Sequence, residues 1–137
     1  PPYRPASFDR VLLDAPCSGL GTLRRRADAR WRIEPGAVER LAGLQRDLLA
    51  AAAELVRPGG VLVYSVCTLT DEEGPDVAAA VGWPRLDPPP GPWTPHGPGA
   101  LLLPQAAGTD GMFLARWRRP VARQLPVTVR GCRWRRC

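Results

Sequence analysis

The stretch FDRVLLDAPCSG, Phe8 to Gly19, holds a short unbroken apolar run, Val11 to Leu13, cut off by Asp14 and Pro16 and followed at once by Cys17 and a Ser-Gly turn. A continuous apolar run this short, bounded by turn residues, suits a strand buried on both faces, as in a parallel sheet. Fifty residues after Cys17 the pattern returns: GGVLVYSVCTLT, Gly59 to Thr70, carries Val61 to Val66 and then Cys67. Between the two lies the clearest helical signal, EPGAVERLAGLQRDLLAAAAELVRPGG, Glu34 to Gly60. Pro35 suits a first-turn position. Val38, Leu41, Leu48, Ala52 and Leu55 make an apolar stripe, with Glu39, Arg40, Arg46, Asp47 and Glu54 mostly away from it. Pro58, Gly59 and Gly60 are expected to stop the helix. Strand, helix and strand make a βαβ unit, so the fold class is α/β. A right-handed crossover brings the C-terminal ends of both strands to one edge of the sheet, where open α/β sheets bind ligands. Asp14, Cys17 and Cys67 follow those ends, so two thiols and a carboxylate are expected in one cleft.

The remaining chain is less regular. DEEGPDVAAAVGW predicts a short helix opening with acids, PRLDPPPGPWTPHGPG a proline-rich loop, ALLLPQ a short strand and GMFLARWRR a further strand. In that last strand Met112, Leu114 and Arg116 oppose Phe113, Ala115 and Trp117. The 137 residues suffice for one domain. Residues 1–119 form it, and residues 120–137 read as an arginine-rich, disordered extension. No apolar run approaches the ~18 residues a membrane span needs, and no signal peptide opens the chain, so a cytoplasmic location without membrane contact is expected. The start reads as that of a segment cut from a longer chain.

The formal net charge is +6, and all 19 basic residues are arginine. This balance favours a polyanionic partner, RNA or DNA, and it equally fits a GC-biased codon supply. Four cysteines in such a chain suggest catalysis or metal more than disulfides. Their spacing does not fit a zinc site, so no metal is expected. Gly19 and Gly21 are read as allowing a tight turn and the close approach of a ligand to backbone. His96 reads as exposed and without special chemistry.

DAPCSG resembles motif IV, and SVCTLT motif VI, of the Nop/Sun (RsmB/Fmu-like) RNA cytosine-5 methyltransferases. GTLRRRADARWR, LQRDLL, LVRPGGVLVYS and LLLPQAAGTDGMFLARW are also similar to the family's usual wording, so the resemblance covers most of Phe8 to Trp117. Departures are small: Val66 stands where the family often has threonine, and Gly74 where asparagine is common. The resemblance implies the C-terminal half of a Rossmann-like sheet, truncated at the N-terminus, from an enzyme that uses S-adenosylmethionine to methylate carbon 5 of cytosine in RNA, by analogy ribosomal RNA. The family's glycine-rich donor loop and adenosine-contacting acids lie upstream of the segment matched here, so most of the donor pocket is expected to be missing.

Position by position, the resemblance implies Cys67 as the thiol that attacks carbon 6 of the base, Cys17 as its partner in release, and Asp14 near the donor's methionine part and the base. The chemistry needs such a thiol. Carbon 5 is a poor nucleophile until a thiolate adds to carbon 6 and turns the ring into an enamine. Arg24, Arg25, Arg26, Arg30 and Arg32, with Trp31 among them, follow the first strand end and can pair with phosphates while the indole stacks on an unpaired base. The alternative reading is a catalytically silent RNA-binding remnant. A first strand lacking a neighbour on its outer side would leave an apolar edge, so self-association is expected.

Overall fold

A computed structural model of the chain describes residues 3–31 and 33–121. The expected extension, beyond its first two residues, and Arg32 therefore lie outside the described residues. The chain begins with strand β1 (Phe8–Asp14), crosses through helix α1 (Ala37–Leu55) and returns as strand β2 (Val56–Val66). The two strands are parallel, with Leu12 opposite Val63, Leu13 opposite Tyr64 and Asp14 opposite Ser65. The βαβ unit read from the sequence is present. After it come α2 (Pro75–Ala78), β3 (Trp93–His96), β4 (Gly99–Leu102), α3 (Pro104–Ala107) and β5 (Met112–Arg118). They complete a five-stranded sheet in the order β1-β2-β5-β4-β3, antiparallel beyond β2.

Alternation along the strands decides which face is packed. Leu62, Tyr64 and Val66 of β2 and Phe113, Ala115 and Trp117 of β5 are buried against α1 and α2. Full burial of a large apolar side chain is worth about 1.5–3 kcal/mol, so Trp117, Tyr64, Phe113 and Leu62 anchor the domain. The opposite face carries Leu12, Val63 and Leu114, of which Leu12 is 66% exposed. Among the described residues β1 pairs on one side only. No helix among them is long and apolar enough to cross a membrane.

Four expectations change. Pro35 lies outside α1, because Gly36, left-handed at φ 73°, turns the chain in as the N-cap. The buried face of α1 is Ala42, Gln45, Leu49 and Ala52, rotated from the expected stripe. Small alanines let the helix approach the sheet, and Gln45 is drawn inside by hydrogen bonds to Pro16 O and Glu73. The helix ends at Leu55, before Pro58, and β2 starts directly at Val56; the Pro58–Gly60 stretch bulges, with Gly59 left-handed at φ 79°. The proline-rich stretch contains a real hairpin, Trp93 pairing with Leu102 and Pro95 with Ala100. An edge strand tolerates Pro95 because its outer side needs no amide hydrogen.

Candidate active site at the paired strand ends

Because β1 and β2 are parallel, the loops leaving them start side by side. Ala15 N donates to Ser65 O (3.1 Å), and two residues later Cys17 meets Cys67, the first residue after β2. Their sulfurs are 3.2 Å apart. Asp14, exposed at the end of β1, accepts a hydrogen bond from Ser65 Oγ (3.0 Å). The structure thus brings Asp14, Cys17 and Cys67 together.

Two clefts meet at this point. One, of about 500 Å³, is lined by Asp14, Pro16, Cys17, Arg26, Leu41 and Cys67 among others. The second, of about 610 Å³, is lined by Arg24, Arg25, Cys67, Asp110 and Met112 among others. Cys67 borders both. A nucleophile in this position can face a substrate entering from one side and a second reactant from the other.

Burial, and then the hydrogen bond to Cys67, push the Cys17 thiol up to about 12. It therefore keeps its proton at neutral pH and can donate it toward Cys67 Sγ. Since the thiolate is the reactive form, Cys17 is expected to react with iodoacetamide at pH 8 on the order of 10³-fold more slowly than an unperturbed cysteine. Peptide mass mapping of the modified chain measures this; labelling of Cys17 at the unperturbed rate would contradict it.

Gly21 holds three loops together. Its N–H donates to Cys67 O (3.0 Å), and its carbonyl accepts from Gly111 N (2.8 Å). A Cβ built here would lie 2.1 Å from Gly111 O and 2.9 Å from Cys67 O. The close approach is of protein backbone, not of the ligand expected from the sequence. Gly19 makes the expected turn, left-handed at φ 72°.

The arginines are partly committed. Arg24, Arg25, Arg26 and Arg30 are exposed, and Trp31 is 84% exposed. Arg25 makes a bidentate pair with Asp110, Nε to Oδ1 at 2.9 Å and Nη2 to Oδ2. The pair raises the Arg25 guanidinium and holds the Asp110 carboxyl below its usual range. Arg30 Nε is turned back onto Ala27 O (3.0 Å). Arg24 borders the larger cleft and Arg26 the smaller. Asp110 was not anticipated as a cleft residue; its GTDG turn was the available signal. His96, expected to be exposed and bland, is half-buried, and its Nε2 meets Asp71 Oδ1 at 2.7 Å. Among the described residues no group of three or more His, Cys, Asp or Glu side chains is placed to hold a metal ion.

A family model described as 16S rRNA methyltransferase RsmB/F matches residues 3–85, from before β1 to beyond α2. The chain belongs to this family. Within the RsmB/F family it is 45% identical over 121 residues to ribosomal RNA small subunit methyltransferase B of Thermus thermophilus, covering 84% of this chain and 30% of the relative. It is 49% identical over 75 residues to ribosomal RNA small subunit methyltransferase F of Vibrio vulnificus, covering 55% of this chain and 16% of that one. Its fold matches the crystal structure of NSun6 from Pyrococcus horikoshii with SFG, an analogue of S-adenosylmethionine, at a TM-score of 0.67 and 32% identity, over 79% of this chain and 29% of that one. The chain thus spans less than a third of the length of these RsmB/F and NSun relatives. Its α/β sheet is a Rossmann-like methyltransferase sheet.

Proposed function

We propose that the chain supplies the thiol-bearing part of an S-adenosylmethionine-dependent methyltransferase acting on carbon 5 of cytosine in small-subunit ribosomal RNA. The observation that carries this reading is the Cys17–Cys67 pair, 3.2 Å apart where two parallel strands end. Both are free thiols in the described structure, and pyrimidine methylation needs one sulfur to attack and a second group to help it leave.

In this reading the thiolate of Cys67 adds to carbon 6 of the base while a proton reaches ring nitrogen 3. The donor's sulfonium supplies an electrophilic methyl group. Carbon 5 takes the methyl and then loses its own proton to a base, and the electrons returning to the ring expel the Cys67 sulfur. Cys17, still protonated, hydrogen-bonds through its S–H to the departing Cys67 sulfur, stabilising the thiolate that forms and so assisting release. Asp14 fits the donor's charged methionine end: it is exposed beside the thiols, and one oxygen is held by Ser65 while the other is free to accept from an ammonium. Arg24, Arg25 and Arg26, with Arg30 at the periphery, hold the RNA backbone, and Trp31 stacks on an unpaired base.

The test joins this chain to the upstream segment of the Thermus thermophilus relative and assays transfer to small-subunit rRNA, with nucleosides read by mass spectrometry. 5-Methylcytidine is the expected product. RNA binding without it would favour the silent remnant and overturn the proposal.

The arginines make a graded prediction. Each phosphate contact contributes about 0.7 to the slope of log K against log salt for a single strand. Arg24→Ala and Arg26→Ala are each expected to reduce the slope by about that amount. Arg25→Ala is expected to reduce it less, because Asp110 already neutralises that guanidinium. Equal slopes in all four proteins would remove the arginines from the RNA interface.

A further inference from the structure

We infer that Glu73 is a positioning residue whose buried carboxylate fixes the Cys17 loop against the Cys67 loop and so sets the distance between the two sulfurs. Its role in turnover rests on the proposed covalent chemistry of Cys67; its role in geometry does not.

Glu73 has no exposed surface. No guanidinium pairs with it among the described residues, and burial of an unpaired charge is costly unless hydrogen bonds compensate. The compensation is complete. Oε1 accepts from Ser18 N (2.8 Å) and Gln45 Nε2 (3.1 Å), and Oε2 accepts from Ser18 Oγ (2.5 Å) and Thr70 Oγ1 (3.4 Å). An ionised carboxylate offers about four acceptor sites, and all are used. Its main-chain carbonyl also accepts from Tyr64 OH (2.6 Å).

The origin of the donors gives the arrangement its meaning. Ser18 follows Cys17 directly. Thr68 follows Cys67 directly, and its Oγ1 lies 3.2 Å from Ser18 Oγ and 3.4 Å from Thr70 Oγ1. Glu73 therefore closes a ring that runs from Cys17 through Ser18, the carboxylate, Thr70 and Thr68 to Cys67. Gln45, which also donates to Pro16 O (2.8 Å), ties that ring to α1. A carboxylate needed only to fill space would not take both a main-chain and a hydroxyl hydrogen bond from the residue beside one thiol. Glu73 touches neither sulfur, so it acts through the loops.

The readout that isolates geometry is disulfide closure. Diamide takes two hydrogens from a thiol pair, is itself reduced to the hydrazine, and leaves an S–S bond; the rate depends on how often the sulfurs meet. In the full chain, the peptide crosslinked through Cys17 and Cys67 is followed by mass spectrometry. Glu73→Ala and Ser18→Ala are expected to close about 10-fold more slowly, since a misplacement of about 1 Å can cost up to 10²-fold in a proximity-driven step. Glu73→Gln is expected to stay within about 3-fold, because its amide oxygen can serve Ser18 N and its amide nitrogen can face the two hydroxyls. Wild-type closure in a folded Glu73→Ala overturns the inference. Should that variant not fold, wild-type closure in Ser18→Ala overturns it. In the methyl-transferring chimera, Glu73→Ala is expected to lower kcat by about 10²-fold with KM for RNA unchanged. If Cys67→Ala left methyl transfer intact, the covalent reading would fail, and the closure rates would still decide the role of Glu73.

Discussion

Cys67→Ala is expected to end methyl transfer in the chimera, with a loss on the order of 10³-fold or more, because removal of a nucleophile deletes the route rather than slowing one step. Cys17→Ala is expected to behave differently. Attack on carbon 6 survives, and release is slowed for want of the S–H hydrogen bond 3.2 Å from the departing sulfur. Protein should then accumulate bound to RNA, visible as a band of reduced mobility on a denaturing gel that nuclease removes. The double variant should show neither product nor band. A band from Cys67→Ala, or none from Cys17→Ala, would reverse or remove the assigned roles. The direction is tied to the site: Cys17, its thiol pushed up to about 12, stays protonated and keeps an S–H to hydrogen-bond with, and its partner borders both clefts.

The second large effect concerns stability. Gly21→Ala forces a methyl group to within 2.1 Å of Gly111 O, a main-chain atom that no rotamer change can move. Either the GTDG turn or the Cys67 loop must shift, breaking the hydrogen bonds of Gly21 to Cys67 O and Gly111 N. A cost of about 3 kcal/mol or more is expected, above the ordinary range for overpacking a site that can relax. Gly43→Ala is the matched control. It sits inside α1 with nothing within 4 Å of the new methyl, and it should stabilise by about 0.5–1 kcal/mol. Urea melts of the two variants measure both. A Gly21→Ala protein as stable as the parent would mean the three loops are not pinned there.

Much of this architecture is legible in the residues. Val11–Leu13 and Val61–Val66 announce buried strands, the long helix lies between them, and the right-handed crossover then leaves the two cysteines little choice of location. The face of α1 is harder to read, because hydropathy counts Leu41 and Leu48 as core and Gln45 as surface, whereas tertiary hydrogen bonds reverse the order. The same blindness hides Glu73. A glutamate in an acidic run looks like a solvated helix start, and only the three-dimensional arrival of Ser18, Gln45 and Thr70 makes its burial affordable. Trp93–His96 is missed for another reason: proline density argues against strands in general, while an outer strand escapes that argument.

The two rims of the sheet differ in kind. At one, Pro95 in β3 offers no amide hydrogen to an incoming chain; at the other, among the described residues, β1 pairs on one side only and presents Leu12. A further strand added to this sheet would therefore find hydrogen-bonding partners along Phe8–Asp14 and a gap in them at Pro95.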